Sequence, residues 1–425
     1  MSKVVIKTVR ARQLIDCKCR PMVEVDIVTS SGALGRGSAP TGSSVGAHEA
    51  FILRDGYSNE YDGMSVHKAV DNVNKIIAPV LIGMDIMDQK AIDRVMIDLD
   101  GTPEKSRLGS NAIYSASIAS FRAAAEASHK PLYEYIAGEN IKTVPIPSFN
   151  VINGGKYGDI TQAINEFIVM PYRADHIEEA VEIAVRVFQK LGPVIKKHTG
   201  SMPGIGSSYG WVAPSEDPEI LLALMQEAID ACGYTEKCAF ALDCASSEMY
   251  DSKTGTYYMN GLWLTSKEII EYMKGLTERW NFVFIEDMLD ENDWEGYALA
   301  HKSINKTLLI ADDLTVTNKD RIERAYKTNS IDGFILKPNQ VGTITESLEA
   351  HEFAKARGLL SIPSGRSGGV IGDVVMDLAV GLQVDFIKNG CPRSGERIDK
   401  LNFLMRVASL YEGSRMSDIS DIVKF

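Results

Sequence analysis

The chain has 425 residues, of which 45% are hydrophobic and 24% are charged, and its formal net charge is −12. A single small core does not organise a chain of this length, so we expect two domains of ordinary globular composition. The negative charge argues against nucleic acid as a partner, because non-specific nucleic-acid binding needs a basic surface.

The start of the chain, MSKVVIKTVRARQ, lacks the apolar core of a signal peptide. No apolar run approaches the ~18–20 residues that span a bilayer, so we expect no membrane association. The six cysteines are sparse, and their spacing does not resemble a zinc motif. We interpret them as reduced thiols and predict a cytoplasmic protein.

The first third of the chain reads as an α+β unit. MVEVDIVTSSG alternates apolar and polar residues before a turn, which predicts a strand. SVHKAVDNVNKIIAPVLI and SNAIYSASIASFRAAAEASH repeat apolar residues at helical spacing. Prolines and glycines then interrupt the helical pattern. We predict an N-terminal domain over residues 1–137, with the boundary at 137–143.

From residue 144 to the end, short apolar runs alternate with longer helical patterns. The runs are NEFIVMP, KCAFALDCA, NFVFIEDML, TLLIADDL, DGFILKPNQ, GLLSIPSG and DFIKNG. Apolar runs bounded by turn residues are typical of buried parallel strands. Seven or eight of them over 144–425 predict a (β/α)8-type barrel. A doubly wound sheet has the same local pattern, but no G-x-G-x-x-G follows the first strand.

In five of these runs the apolar stretch ends at a charged residue. The five are Asp243, Glu286, Asp312, Lys337 and Lys388. The carboxyl ends of barrel strands meet at one mouth, where three carboxylates would repel one another without a cation. Oxygen ligands of this kind suit Mg²⁺. We expect metal to lower the pKa of the two lysines and make each a candidate base for removing an α-proton.

A single aspartate after a strand is more often a turn former or a helix cap than a ligand. A single lysine at a strand end is usually solvated. Charged ends on five successive runs, in this order, favour a functional site over both explanations. The reaction class is α-proton abstraction from a carboxylate, with metal ions stabilising the enolate.

The sequence resembles the enolase family over nearly its whole length. The motifs include APTGSSVGAHEA, LDGTPEKSRLGSNAI and NVINGG, then LDCASSEMY, ADDLTVTN, LKPNQVGTITES and RSGERIDKLNFLMR. The resemblance implies an α/β barrel of the enolase type, preceded by an N-terminal α+β capping domain with a mobile active-site loop. It also implies two Mg²⁺ ions per active site and a homodimer or higher homo-oligomer.

The resemblance assigns roles to the strand-end residues. Asp243, Glu286 and Asp312 match the primary Mg²⁺ ligands of the family. Lys337 matches the base that takes the α-proton. Lys388 matches the lysine that meets the substrate carboxylate.

Other matching residues lie on loops and on the first barrel strands. Ser44, in TGSSVG, matches the serine that joins the second Mg²⁺ and binds substrate. Glu166, in NEF, matches one of two glutamates on the acid side. Arg366 and Ser367 match the pair that binds phosphate. We therefore expect a small anionic substrate carrying a carboxylate and a phosphate, phosphonate or second carboxylate.

The resemblance breaks at residues around the same mouth. The loop GIGSSYGWVAP has Ser207 and Ser208 where the family has a glutamate that helps protonate the leaving hydroxyl. Tyr157 and Gly365 each stand where the family has histidine, and Gly369 stands where it has glutamate. Residues 16–21 read DCKCRP in place of DSRGNP.

These losses suggest that the half of the active site that abstracts the proton is kept, and that the half that handles the leaving group is rebuilt. Tyr157, Tyr209 and Glu166 are candidates for the replacement acid. For Tyr209 and Trp211 the alternative is that they only pack the loop. The glycines at 365 and 369 suggest room for a larger substrate group.

Three functional hypotheses remain open from the sequence. The first is a Mg²⁺-dependent lyase of the enolase type acting on a 2-phosphoglycerate-like acid, with an altered substrate or second step. The second is a genuine enolase that converts 2-phosphoglycerate to phosphoenolpyruvate and water. The third is a non-catalytic paralogue with a binding role, against which the intact acidic trio and lysines argue.

Overall fold

The computed structural model describes residues 3–42, 46–138, 141–411 and 415–425. In the N-terminal part, an antiparallel sheet of order β1–β2–β3 packs against helices. Its elements are β1 (Ile6–Ile15), β2 (Pro21–Thr29), β3 (Leu34–Ala39), α1 (His67–Asn72), α2 (Ala78–Leu81), α3 (Gln89–Asp100), α4 (Ser110–Ala127) and α5 (Leu132–Ala137). A π-helical turn, Val73–Ile77, joins α1 to α2.

Helix α4 packs very closely on the sheet because β3 carries glycine where the two meet. A Cβ atom at Gly35 would lie 1.9 Å from the Ala119 carbonyl oxygen, and one at Gly37 would lie 2.2 Å from that of Ser115. The small residues of α4, mostly alanine and serine, are buried almost throughout. The close contact therefore depends on small residues on both sides.

Within the described residues, eight strands close into a barrel in the order β5–β6–β8–β12–β13–β14–β15–β16. The parallel pair β16–β5 and a bridge between Ser364 and Lys388 complete the circle. The barrel strands are β5 (Ile146–Tyr157), β6 (Ile160–Met170), β8 (Ala239–Asp243), β12 (Phe282–Glu286), β13 (Leu308–Ala311), β14 (Gly333–Leu336), β15 (Leu360–Pro363) and β16 (Phe386–Lys388). The predicted α/β barrel behind an N-terminal α+β domain is confirmed.

One strand does not run as the sequence pattern suggested. Strand β6, which contains the run NEFIVMP, is antiparallel to both of its neighbours, β5 and β8. The expectation of an all-parallel set is therefore wrong at this strand. The reason is the short turn between Tyr157 and Ile160, which makes β5 and β6 a hairpin and leaves no room for a crossover helix.

Helices follow the barrel strands and cover the outside of the barrel. They are α6 (Ile177–Thr199), α7 (Pro218–Ala231), α8 (Ser266–Arg279), α9 (Trp294–Ser303), α10 (Lys319–Lys327), α11 (Pro338–Val341), α12 (Ile344–Lys355), α13 (Val374–Gly381) and α14 (Gly395–Leu410). The short strands are β4 (Thr143–Val144), β7 (Trp211–Val212), β9 (Tyr250–Asp251), β10 (Thr256–Met259), β11 (Leu262–Leu264) and β17 (Arg415–Met416). Among the described residues, no helix combines the length and apolarity needed to cross a bilayer.

The N-terminal domain docks on the start of α12, next to the strand end that carries Lys337. The Asp93 carboxylate accepts from the Thr345 hydroxyl at 2.6 Å and from its backbone N–H at 3.0 Å. The Lys105 ammonium lies 3.0 Å from Glu346 Oε1. These buried polar contacts fix the capping domain against the side of the barrel mouth.

A buried histidine in α12 makes the stability of the barrel sensitive to acid. His351 packs against β15, with Nδ1 3.0 Å from Ser361 Oγ, and burial lowers its pKa to about 4. An unfolded histidine titrates near ~6.5, so the unfolded chain binds the extra proton as pH falls below that value. The contribution to stability is complete above the unfolded pKa and is lost progressively on acidification.

We expect His351→Gln to reduce the loss of unfolding free energy between pH 7 and pH 5 by about 2 kcal/mol. Urea unfolding at the two pH values measures this difference, with His129→Gln at an exposed position as the control. An unchanged pH dependence in the His351 variant would contradict the assignment.

Candidate active site

The alternation of side chains along each strand delivers the five charged strand-end residues to the interior of the barrel mouth. Two positions before each of them stands an apolar residue of one buried cluster: Ala241, Phe284, Ile310, Ile335 and Phe386. Because side chains repeat every second residue along a strand, the charged residues point the same way as these core residues. The structure therefore brings together Asp243, Glu286, Asp312, Lys337 and Lys388.

The Lys388 ammonium lies among three carboxylates. Its Nζ is 2.9 Å from Asp243 Oδ2, 2.5 Å from Glu286 Oε2 and 3.8 Å from Glu166 Oε2. All four side chains are largely shielded from solvent. Lys388 is thus the counter-charge of the acidic cluster in the structure.

Lys337 is held beside the third predicted ligand. Its ammonium contacts the Asp312 carboxylate, whose other oxygen accepts from Gln340 Nε2 at 2.8 Å. Its backbone N–H donates to Thr317 Oγ1 at 2.8 Å. Val316 and Thr317 are β-branched residues with φ of 43° and 57°, a strained conformation that fixes this hydroxyl under Lys337.

The pKa values of the two lysines are shifted upward in the structure. Burial acts to lower the pKa of Lys337, but the Asp312 carboxylate outweighs it and the net shift is upward. Burial likewise opposes the shift at Lys388, whose pKa is raised well above its usual value by Asp243, Glu286 and Glu166. Neighbouring carboxylates outweigh the nearby cations Arg366 and Lys388 at Lys337. The sequence-based expectation of lowered pKa values concerns a site that holds a metal ion, and it stays a prediction.

The carboxyl groups of the mouth are crowded enough to shift their own titration. Burial and the charge of Asp243 raise the pKa of Glu286 well above its usual range. Burial and neighbouring carboxylates raise the pKa of Asp287 to about 7 and that of Asp313 to about 9. So many carboxyls in one buried space favour the binding of a cation.

The donor set fits a divalent cation that prefers oxygen. Ligand atoms of Glu286, Asp287 and Asp312 lie within 4.8 Å of one another. Asp287 is already engaged by the backbone N–H groups of Asp312 and Asp313, at 2.9 and 2.8 Å. Among the described residues Glu286 Oε1 is buried without a hydrogen-bond partner. A cation held by Asp243, Glu286 and Asp312 would satisfy this atom.

Glu166 reaches the mouth because β6 is antiparallel. It lies directly opposite Asp243 in the register of β6 and β8, and its Oε1 accepts from Asn150 Nδ2 at 2.9 Å. Burial raises its pKa, and the charge of Lys388 only partly offsets this. Tyr157, at the end of β5, lines the same cavity, and its hydroxyl accepts from the Ser207 N–H at 3.4 Å.

The loop GIGSSYGWVAP, which lacks the family's glutamate, is held in place by hydrogen bonds to its backbone. Asn153 Oδ1 accepts from the N–H groups of Ser208 and Gly210, at 3.2 and 2.9 Å. Arg397 donates to the Ser208 carbonyl at 2.5 Å. The structure therefore presents Ser207 and Ser208 to the cavity where the resemblance placed a glutamate.

Two aromatic residues of this loop make packing contacts. Trp211 stacks on Phe188 at 5.1 Å and donates from Nε1 to its carbonyl. Tyr209 donates its hydroxyl to the Cys17 carbonyl at 3.1 Å, and its ring lies under the Arg397 guanidinium at 4.8 Å. The Tyr209 hydroxyl is thus directed to the N-terminal segment, and Tyr209 does not contribute to the cavity lining.

The predicted phosphate-binding pair lies on the opposite wall. Arg366 makes two hydrogen bonds to the buried Glu49 carboxylate, at 2.7 and 3.1 Å. Ser367 follows it along the cavity lining. Glu49 stands in the segment GAHEA, just after Ser44, which lies outside the described residues.

The expectation that Gly365 and Gly369 leave room for a larger substrate group is wrong in its simple form. A Cβ atom at Gly365 would lie 2.4 Å from Lys400 Nζ, and one at Gly369 would lie 2.8 Å from Glu396 Oε2. Charged side chains of α14 therefore occupy the space beside both glycines. Cys17, whose N–H donates to the Gly369 carbonyl, closes this wall from the N-terminal side.

These residues enclose a cavity of about 440 Å³ with two oppositely charged walls. The acidic wall comes from the middle of β6 and from the ends of β8, β12 and β13. The basic wall comes from the segment after β15, from β16 and from α14. The charged lining residues are Glu49, Glu166, Asp243, Glu248, Asp287, Asp312 and Asp313, with Lys156, Lys337, Arg366, Lys388, Arg397 and Lys400.

Sequence reasoning missed the contribution of α14. Glu396, Arg397 and Lys400 are buried in the first two turns of this helix, on the side that continues into Leu401 and Leu404. Charged residues within the apolar stripe of an amphipathic helix are the signal that could have revealed them. Their partners could not be read from sequence spacing.

The fold and the cavity define a two-domain barrel protein with an acidic mouth, whose carboxylates could hold a cation, and lysines at its strand ends. Two family models match the chain: the enolase N-terminal domain over residues 6–136 and the enolase C-terminal TIM barrel domain over residues 141–416. The chain belongs to the enolase family. The two matches indicate a lyase of the enolase type.

Proposed function

We propose that the protein is a Mg²⁺-dependent lyase that removes the α-proton of a small 2-phosphoglycerate-like carboxylate, with an altered substrate or second step. The observation that carries the proposal is the placement of two buried amines, Lys337 and Lys388, around the carboxylates of Asp243, Glu286 and Asp312. A protein that only binds a partner has no need of such an arrangement.

Mg²⁺ held by Asp243, Glu286 and Asp312 would supply positive charge to the substrate carboxylate and to the enolate that forms from it. Lys337 takes the α-proton, and its position is fixed by Thr317 and Asp312. Lys388 donates hydrogen bonds to the substrate carboxylate. Arg366 and Ser367 bind the phosphate, phosphonate or second carboxylate at the other end.

Glu166 is our candidate for the acid of the second step. Its raised pKa favours the protonated form that an acid needs, and it lines the cavity opposite the basic wall. Tyr157 is the second candidate because its hydroxyl also lies on the cavity. The Tyr209 hydroxyl is engaged with Cys17, which argues against the same role for Tyr209.

The altered second step is supported by the way the departures from the family pattern cluster in space. Cys17 contacts both the loop that lacks the acid, through Tyr209, and the loop that carries Gly369. The acidic trio and the two lysines are unchanged. A set of linked changes beside an unchanged group of charged residues favours a changed leaving group over general decay.

Solvent exchange of the α-proton separates the three hypotheses. In D₂O with Mg²⁺, we expect deuterium incorporation at the α-carbon of at least one acid among 2-phosphoglycerate and its phosphonate and dicarboxylate analogues, followed by NMR. Rapid conversion of 2-phosphoglycerate to phosphoenolpyruvate would replace the altered-substrate hypothesis with that of a genuine enolase. No exchange with any acid would favour a non-catalytic paralogue.

From the family membership we also propose a homodimer or higher homo-oligomer in the cytoplasm. Sedimentation velocity at micromolar concentration tests the first part. A monomer throughout the concentration range would contradict it.

A further inference from the structure

A buried lysine of α14 faces the cavity through a gap in the basic wall. Lys400 is 3% exposed, and its side chain lines the cavity beside Gly365 and Arg366. A Cβ atom at Gly365 would lie 2.4 Å from Lys400 Nζ, so any side chain at that position would displace the ammonium. The absence of a side chain at 365 is what gives the cavity access to Lys400.

The ammonium of Lys400 has charge partners but poor hydrogen bonds. Glu396 Oε2 lies 3.5 Å away and Asp373 Oδ2 lies 4.0 Å away, both longer than a charge-assisted hydrogen bond of ~2.7–2.9 Å. Within the described part of the chain, neither of these two oxygens has a hydrogen-bond partner, and neither makes a hydrogen bond to the ammonium. An ammonium carries three donors, so Lys400 retains donors for a ligand.

The other cations near this wall are more closely engaged. Arg366 makes two hydrogen bonds to Glu49, and Arg397 donates to the Ser208 carbonyl. The carboxylates that balance Lys400 stand behind it: neither Glu396 nor Asp373 belongs to the cavity lining. The face that the cavity meets is therefore cationic.

We propose that Lys400 binds an anionic group at the far end of the substrate, and that Gly365 is the opening through which it does so. The substrate accordingly carries a second anionic group, a phosphonate, phosphate or carboxylate, in addition to the carboxylate next to the reacting carbon. This inference rests on the proposed function and adds Lys400 to the residues that bind the second anionic group of its substrate. Lys400 is a specificity-determining residue that lies away from the acidic trio.

The test uses ligands that have two anionic groups and no leaving group. Isothermal titration calorimetry with Mg²⁺ present compares phosphonoacetate and malonate, as the phosphonate and dicarboxylate probes, with acetate as the single anion. We expect Lys400→Met to weaken the preferred dianion by about 10- to 100-fold, because one hydrogen bond between charged groups is lost. Acetate binding should change less than about twofold, because acetate lacks the second anionic group that would bond to Lys400.

Gly365→Ala is the second variant, because it keeps the Lys400 side chain but introduces a methyl group that would displace its ammonium. We expect it to weaken the same dianion without changing acetate binding. Lys105→Met is the matched control, since Lys105 is equally buried at 3% exposure, pairs with Glu346 and lies outside the cavity. It should leave all three affinities unchanged.

Two results would overturn the inference. One is equal binding of the preferred dianion by wild-type, Lys400→Met and Gly365→Ala proteins. The other is wild-type protein that binds neither dianion more tightly than acetate. Neither result bears on α-proton exchange, which requires Lys337 and is measured with reactive acids, so the proposed function fails or stands separately.

Discussion

Replacing Lys337 with alanine will slow α-proton exchange by about 10²–10⁴-fold, the usual contribution of a positioned general base. This corresponds to about 3–5 kcal/mol of transition-state stabilisation. Lys337 stands at the end of β14 with its backbone fixed by Thr317 and its amine against Asp312. The variant loses the proton acceptor and leaves the acidic trio in place. NMR of substrate in D₂O with saturating Mg²⁺ measures the exchange rate.

Gln340→Leu provides the control for this experiment. It removes the 2.8 Å hydrogen bond to Asp312 Oδ1 and so disturbs the neighbour of Lys337 without removing the amine. We expect a smaller loss of exchange than in Lys337→Ala, with both variants folded by circular dichroism. Exchange at the wild-type rate in Lys337→Ala would remove Lys337 as the base and leave Lys388 as the other candidate amine.

The barrel could be predicted from sequence because its strands carry their own signal. Runs such as AFALD and FVFIE are buried throughout, and each ends in a residue that chemistry needs, not one that packing needs. The period of two then places Asp243 and Glu286 on the inner face. Because these parallel runs deliver their last residues to the same mouth, this part of the site followed from the order of the strands.

The strand β5 and the direction of β6 could not be predicted in the same way. The segment of β5, IPSFNVINGGKY, contains a proline and two glycines, which are breakers in a local reading. Its hydrogen bonds to β6 and β16 override that preference. The antiparallel direction of β6 depends on a turn of two residues, whereas the apolar pattern is the same in either direction.

The basic wall was hidden from the sequence for a different reason. Arg366 pairs with Glu49, 317 positions away, and Lys400 depends on the absence of a side chain at Gly365. Neither relation leaves a local pattern in the amino-acid sequence. The departures from the family pattern marked the right loops, but the reading of lost side chains as empty space failed because neighbouring side chains of α14 occupy that space.

Replacing Lys388 with methionine will destabilise the metal-free protein by about 3–5 kcal/mol, the cost of leaving buried charges without their partner. Lys388 Nζ contacts Asp243 Oδ2 at 2.9 Å and Glu286 Oε2 at 2.5 Å, and Glu166 Oε2 lies 3.8 Å away. Without the ammonium these carboxylates must repel one another or take up protons. Urea unfolding in the presence of EDTA measures the loss.

Added Mg²⁺ should then restore more stability to Lys388→Met than it adds to the wild-type protein. The ammonium and the metal ion both neutralise Asp243 and Glu286. The variant has therefore lost a competitor for these carboxylates, and we expect it to bind the ion more tightly. Tighter binding to the folded state raises the unfolding free energy. Lys105→Met loses an equally buried ammonium at the domain interface and should show no such extra response. An identical Mg²⁺ response in all three proteins would mean that the acidic trio is not the cation site.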